Sequence, residues 1–249
     1  MPKFFITRED VQGRYIVIRS DVHHIVNVLR KGEGDVISVC DGAGTDYECR
    51  IMQIAPGEDS LICQILDQRR SSTEPQVEIT VYQSLPKGDK METVIQKGVE
   101  VGVSRFVPFY SERSLIHLDE KKAQQKVQRW QGICEAAAKQ SGRGLIPTVE
   151  EVHSFRRVLQ EVSSYDLPIL FYENARDVSL KKLLTEYETE KGVPARVAMW
   201  LGPEGGFSEA EVRMLKEAGC RRCGLGSRIL RTETAALAAS VMILYHFDR

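Results

Sequence analysis

Up to about residue 70 the apolar positions come in short runs that alternate with polar ones and are separated by turn residues. That pattern predicts strands with one buried face. Segments 3–6, 14–18, 35–40, 47–54 and 60–68 read this way, with Asp41-Gly42-Ala43-Gly44 and Pro56-Gly57-Glu58-Asp59 as hairpin turns. One stretch has helical spacing instead. Val22, Ile25, Val26 and Leu29 fall at i, i+3, i+4 and i+7, with Asp21 as a cap and Gly32 and Gly34 as a stop. The expectation is a small barrel of about five or six strands with one helix, a shape that often holds nucleic acid.

Arg69-Arg70-Ser71-Ser72-Thr73-Glu74-Pro75 is polar and punctuated by proline, so the domain division is placed there: 1–70, a linker at 71–75, and 76–249. Beyond it the period changes. Buried-strand runs at 77–83, 105–109, 148–152, 167–172 and 197–201 alternate with helical patterns at 89–101, 119–140, 154–161, 178–186 and 232–247. This βαβ rhythm predicts an α/β domain with a mostly parallel sheet covered on both faces. The last helix is small and apolar nearly all round, through Ala235-Ala236-Leu237-Ala238-Ala239-Ser240-Val241-Met242-Ile243-Leu244. Such a helix is expected to be buried against the sheet on one side and a partner subunit on the other.

Two segments concentrate turn chemistry. Leu201-Gly202-Pro203-Glu204-Gly205-Gly206 follows a strand and leads into a marked helix start. Ser208 and Glu211 make a capping box, Phe207 and Val212 a staple, and Gly219 a stop. Gly202, Gly205 and Gly206 permit positive φ or close approach. The second segment, from Leu225 to Ala235, repeats the strand, turn, helix sequence. Two such turns within thirty residues favour a shared ligand site at strand ends.

Composition narrows the chemistry. The net charge of −1 excludes a global field that steers nucleic acid, so such a partner needs a local basic patch. Arg8, Arg14, Arg19, Arg30 and Lys31 are available for phosphates, with Tyr15 or Tyr47 for stacking. The six cysteines are scattered, and Cys220 and Cys223 form a lone CxxC along an apparent strand, so they read as structural. The five histidines show no metal spacing, and no metal is expected. No run is long enough for a membrane span, and the first residues carry no secretory pattern, which makes the cytosol the default location. No P-loop or dinucleotide fingerprint opens the second domain, and no nucleophile set is visible. What remains is a backbone-lined slot with Leu201, Leu225, Ile229 and Leu230, flanked by Glu204, Arg231 and Glu233, suited to an adenine ring.

These motifs resemble the SPOUT-class ribosomal RNA methyltransferases, and within them the small-subunit rRNA uracil-N3 methyltransferase family. The resemblance spans the whole chain. It includes His24-Ile25-Val26-Asn27-Val28-Leu29-Arg30, Pro86-Lys87-Gly88-Asp89-Lys90-Met91, Gln96-Lys97-Gly98-Val99-Glu100-Val101-Gly102, Ser111-Glu112-Arg113-Ser114 and Gln140-Ser141-Gly142-Arg143. Ser227, where relatives often carry proline, and Gly98-Val99, where an alanine–threonine type pair is common, depart from the pattern.

The resemblance implies a PUA-like RNA-binding barrel followed by a trefoil-knotted methyltransferase domain, working as a homodimer. It implies S-adenosylmethionine as cofactor and 16S ribosomal RNA, within the small subunit, as substrate. Carried over position by position, the cofactor pocket is Leu201, Gly202, Pro203, Glu204, Gly205, Leu225, Gly226, Ile229, Leu230, Thr234 and Ala235, with Leu170, Phe171 and Glu173 as another wall. Arg8, Arg14, Arg30, Lys87, Arg113, Gln140 and Arg143 would meet RNA.

Uracil N3 is a poor nucleophile until its proton leaves, so the reaction needs donors near the base's carbonyl oxygens. Arg231 is the first choice, with Arg8 or Arg113 reaching in from the RNA side; an ion pair with Glu233 or Glu204 is the other role open to it. Glu233 either takes the proton or sits as a favourable acid at a helix N-terminus. Two rival readings remain: a non-catalytic RNA-binding or ribosome-assembly factor, and a phosphate-handling enzyme using the glycine turn as an anion nest.

Overall fold

The computed structural model describes residues 3–55, 57, 59–175 and 177–248. The chain divides into two compact units. One is Met1–Glu74 with Ala138–Ile146, and the other is Pro75–Ala137 with Pro147–Arg249.

In the first unit six strands form one sheet: β1 (Lys3–Phe5), β2 (Val11–Gln12), β3 (Tyr15–Ile18), β4 (Val36–Cys40), β5 (Thr45–Ile54) and β6 (Leu61–Arg70), in the order β1-β4-β5-β6-β3-β2. Only the β1–β4 pair is parallel. Period-2 alternation buries Ile16, Ile18, Val39, Ile51 and Leu61 completely. Of the Pro56–Asp59 hairpin expectation, Pro56 and Glu58 lie outside the described residues.

The helix expected behind Asp21 is a single wide turn, His24–Val28. Asp21 itself has φ of 59° and Arg30 of 55°, so the chain bends into the left-handed region at both ends and Asp21 cannot act as an extended N-cap. The buried face was read correctly, since Val22 and Ile25 are in the core with Val26 and Leu29 against it.

The segment from 138 to 146 completes this unit, although the sequence pattern assigns it to the second. Glu74 accepts hydrogen bonds from the backbone of Gly144 (2.8 Å) and Leu145 (3.1 Å), and the Cys40 thiol donates to the Gly144 carbonyl at 2.9 Å. Polar staples of this kind leave no hydrophobic period to read.

The second unit is built from β7 (Glu78–Ser84), α1 (Lys90–Val101), β8 (Arg105–Tyr110), α2 (Glu120–Ser141, whose last turn counts with the first unit), β9 (Thr148–Val149), β10 (His153–Ser154), α3 (Phe155–Gln160), β11 (Leu167–Phe171), α4 (Leu180–Lys191), β12 (Arg196–Leu201), α5 (Glu209–Glu217), β13 (Arg221–Cys223) and α6 (Thr232–Phe247). The sheet order is β10-β8-β7-β12-β11-β13, with β9 also on β8, and every pairing is parallel. The βαβ expectation is therefore met. Trp200 stacks on Tyr82 with ring centroids 4.4 Å apart at the centre of one face, where Phe207, Val212 and Leu215 from the α5 region join it. The Ser208–Glu211 capping box forms as expected. Cys220 and Cys223 are buried free thiols flanking and ending β13.

One wall of α6 is buried through Ala236, Ala239, Ser240, Ile243 and Phe247. The other leaves Val241, Met242 and Tyr245 exposed, Tyr245 at 91%. Among the described residues no helix is long and apolar enough to cross a membrane, and no group of three or more His, Cys, Asp or Glu could hold a metal ion.

Candidate functional site

The adjacent parallel strands β11, β12 and β13 end together, and their carboxyl ends open a cavity of about 740 Å³. That size suits a small organic ligand, and the place is where parallel sheets expose unpaired loop backbone. Two turns line most of it: the one after β12 and the one joining β13 to α6.

The turn after β12 is tight because the Gly206 N–H donates to the Pro203 carbonyl at 2.9 Å. Gly206 has φ of 65°, and a Cβ there would stand 2.6 Å from a carboxylate oxygen of Glu173. Gly202 and Gly205 lack positive φ; a Cβ on Gly202 would press on the Gly206 backbone at 3.2 Å, whereas one on Gly205 would make only ordinary contact with Arg113 at 3.4 Å.

Five neighbours hold this turn. The Gly202 carbonyl accepts from the Thr232 hydroxyl at 2.8 Å and from the Gln83 amide at 3.3 Å. The Gly205 carbonyl accepts from Arg113 at 3.0 Å. Glu204 accepts from the Lys90 ammonium at 2.6 Å and the Lys87 amide at 3.0 Å. Burial works to raise the Glu204 carboxyl, but these donors outweigh it and hold the group below its ordinary range.

The second turn enters through a narrow gap. Gly224 donates to Val178 O at 3.0 Å, accepts from Leu180 N at 3.3 Å, and has no room for a side chain, since a Cβ would lie 2.6 Å from the Ala175 carbonyl oxygen. The chain then runs along the cavity to Thr232 and into α6.

Most of the residues expected at the pocket share this wall: Phe171 and Glu173 from β11 and its end, Leu201 to Gly205 after β12, and Leu225, Gly226, Ile229, Leu230 and Ala235 on the last approach. Three expected residues are off it. Leu170 packs into the core beside Trp200 and Leu215, because successive strand residues face opposite ways and Phe171 takes the cavity side. Thr234 is exposed on α6, while its neighbour Thr232 turns in. Glu233 is half-buried in the first turn of α6 and off the cavity lining, one carboxylate oxygen buried without a hydrogen-bond partner. Gly206, singled out with its turn, lines the cavity, and so do Lys90, Tyr172, Phe207, Gly224, Ser227, Arg228 and Thr232, which were not assigned to the pocket. The Gln83–Thr232–Gly202 bonds join positions 119 and 149 apart from Gln83, which no local spacing reveals.

Arg231 is the N-cap residue of α6, exposed and on the cavity wall. The ion pair with Glu204 or Glu233 does not form among the described residues, since Glu204 is held by Lys90.

The residues expected to meet RNA divide by exposure. Arg8, Arg14 and Arg30 are exposed on the first unit, Arg8 standing 3.8 Å from Asp41. Gln140 is exposed in the last turn of α2, and Lys87 and Arg113 are exposed on the second unit. Arg143 is a correction. It is 3% exposed and bonded to Glu74 at 2.6 Å, so its charge is spent inside the fold. Of the two tyrosines, Tyr47 is buried and Tyr15 is 47% exposed.

Comparison with known proteins agrees with this architecture. A family model described as an RNA methyltransferase domain matches residues 73–244, and one described as an RNA methyltransferase PUA domain matches residues 18–66. The chain is 37% identical over 252 residues to the ribosomal RNA small subunit methyltransferase E of Bacillus subtilis (strain 168), covering 100% of this chain and 98% of that protein. It is 29% identical over 233 residues to the protein of the same name from Synechocystis sp., covering 94% of this chain and 73% of that one. Among solved structures, that of a ribosomal RNA small subunit methyltransferase E from Neisseria gonorrhoeae bound to S-adenosyl methionine superposes with a TM-score of 0.81 at 30% identity, covering 98% of this chain and 97% of the other.

Proposed function

The chain belongs to the family of ribosomal RNA small subunit methyltransferase E, an RNA methyltransferase domain with a PUA domain, and from that premise we propose that it methylates N3 of a specific uridine in 16S ribosomal RNA. S-adenosylmethionine is the methyl donor. The cavity at the ends of β11, β12 and β13 is the observation that carries the reading. Its volume suits the donor, its apolar Leu201, Leu225 and Leu230 suit an adenine ring, and the free backbone of its two turns can read that ring's edge.

Bound there, the donor supplies an already activated sulfonium methyl, so no metal or protein nucleophile is required. The chain's own task is to place the base and stabilise its anion. Arg231 projects from the N-cap of α6 with no ion-pair partner among the described residues and is assigned to the developing charge on a uracil carbonyl oxygen. Glu233 lies in the first turn of α6 and is not among the residues lining the cavity, which favours the helix N-terminus role over proton transfer. The N3 proton then leaves to solvent at the cavity mouth. Lys87 and Arg113 on the second unit, with Arg8, Arg14, Arg30 and Gln140, are assigned to the RNA. N3 lies on the pairing edge, so the target uridine must be unpaired or turned out of its stack.

The threaded C-terminal segment is further proposed to close a trefoil knot: the chain passes Ala175 and Val178 at Gly224, then bonds Gly202 through Thr232 before α6 begins. The exposed stripe Val241, Met242 and Tyr245 on α6 is assigned to a homodimer interface. With a ribosomal substrate, the protein is assigned to the cytoplasm.

The test is methyl transfer from labelled S-adenosylmethionine to small ribosomal subunits isolated from a strain lacking this gene, with mass spectrometry of the digested RNA. The expected product is 3-methyluridine at one position. A methyl on another atom, or on large-subunit RNA only, refutes the assignment. Arg231→Ala should keep cofactor binding and lose roughly 100-fold in transfer rate; near-normal transfer would remove Arg231 from the mechanism.

A further inference from the structure

We propose that Glu211 is a positioning residue that fixes Arg113 over the cavity turn, and so sets how the acceptor RNA is held. This rests on the methyltransferase reading above.

Glu211 lies in the first turn of α5 and is 3% exposed. Its two oxygens serve different segments. One accepts the Ser208 N–H at 2.9 Å, which completes the helix cap. The other accepts the Glu112 N–H at 2.8 Å, across 99 residues of sequence. A cap needs only the first bond. The second ties α5 to the loop Ser111–Ser114, which follows β8.

That loop has its own foundation. The Ser84 hydroxyl at the end of β7 lies 2.7 Å from the Ser111 hydroxyl and 2.9 Å from that of Ser114, all three buried. The Ser111 N–H donates to the Ser114 hydroxyl at 3.0 Å, closing the loop. Between the Glu112 anchor and the serine base stands Arg113, exposed, donating one N–H to the Gly205 carbonyl at 3.0 Å. A guanidinium has five donors in a fixed fork. With one directed at the turn and the backbone on both sides pinned, the rest of the fork keeps a defined direction at the cavity edge, suited to a phosphate or base oxygen.

The chemistry requires a carboxylate. A glutamine has one acceptor oxygen and would turn its NH₂ toward one of the two amide donors. Ser208→Ala is the useful contrast, because it removes the hydroxyl half of the cap and leaves the Glu112 bond intact.

The experiment compares wild type, Glu211→Gln, Ser208→Ala, Arg113→Ala and the Arg113→Ala/Glu211→Gln pair. Cofactor affinity, and KM and kcat with unmethylated small subunits, are measured for each. Glu211→Gln should raise KM for subunits roughly tenfold, the size of one lost buried hydrogen bond to a charged group, with cofactor affinity near wild type. Ser208→Ala should leave KM unchanged. The double variant should be no worse than Arg113→Ala alone, since both changes remove the same contact. Additive effects, or an equal rise in KM for Ser208→Ala, would make Glu211 a helix cap and nothing more. Amide hydrogen exchange gives a readout that needs no activity. Exchange of residues 111–114 should accelerate in Glu211→Gln and not in Ser208→Ala; unchanged exchange overturns the proposal. Transfer of no methyl by the wild type, with accelerated exchange in Glu211→Gln, would instead overturn the methyltransferase reading.

Discussion

The gap through which Gly224 passes can be tested by a single methyl group. Gly224→Ala would place a Cβ 2.6 Å from the Ala175 carbonyl oxygen. Carbon–oxygen contacts in folded proteins settle near ~3.3 Å, so the backbone must open by roughly 0.7 Å. The neighbouring bonds to Val178 and Leu180, at 3.0 and 3.3 Å, cannot both survive that shift. Overpacking costs about 1–3 kcal/mol and each weakened backbone bond about 1 kcal/mol, for a total of roughly 2–4 kcal/mol after the small gain from restricting the unfolded chain. The displaced segment is the cavity wall itself, so cofactor affinity should fall at least about tenfold, the equivalent of 1.4 kcal/mol. Gly219→Ala is the control. It has φ of 112° with nothing within 4 Å of the added carbon, and it lies off the cavity wall, so it should cost strain alone, about 1–2 kcal/mol, and leave affinity alone. Urea unfolding and calorimetry with S-adenosylmethionine measure both quantities. Wild-type stability and affinity in Gly224→Ala would refute the reasoning, as would equal affinity losses in the two variants.

The remaining predictions concern titration. His153 is almost fully buried, and burial together with Arg157 outweighs Glu161 at 3.4 Å, holding the ring below its ordinary pKa and neutral. The unfolded chain then binds a proton that the folded chain refuses, so this contribution is complete above about pH 6.5 and declines as pH falls below it. Unfolding across pH 5 to 8 should show that decline, and His153→Asn should flatten it; an unchanged slope would count against the histidine. Burial pushes the thiols of Cys40, Cys49, Cys63 and Cys223 up to about 12, and Cys220 upward as well. Native protein should therefore resist iodoacetamide at pH 8, and labelling before unfolding would refute the burial argument.

The strands and helices were legible because their burial is periodic, and the last helix was read at the bounds it has, 232–247. The cavity was legible because glycine and capping residues announce a turn. Each failure has its own physical cause. Arg143 looked like a surface cation because its partner Glu74 is 69 residues away. Asp21 and Arg30 hold positive φ without glycine, so no residue type signalled the bends. Leu170 and Thr234 were displaced by one or two positions from the residues that do face the cavity, a distinction that strand alternation and helix phase decide. Gly98, a departure from the family pattern, has a plain local reason. A Cβ there would meet the Phe106 ring at 2.7 Å, so the aromatic ring occupies the space a larger residue would need.

The stretch from 138 to 146 also has a meaning for how the chain is made. The barrel leaves synthesis with Glu74 and Cys40 lacking the groups they will bond, which arrive only after a further seventy residues have been added. Its completion thus waits on the synthesis of β7, α1, β8 and α2. A fragment ended at Glu74 would be an unfinished barrel, with a carboxylate prepared for an arginine it never meets.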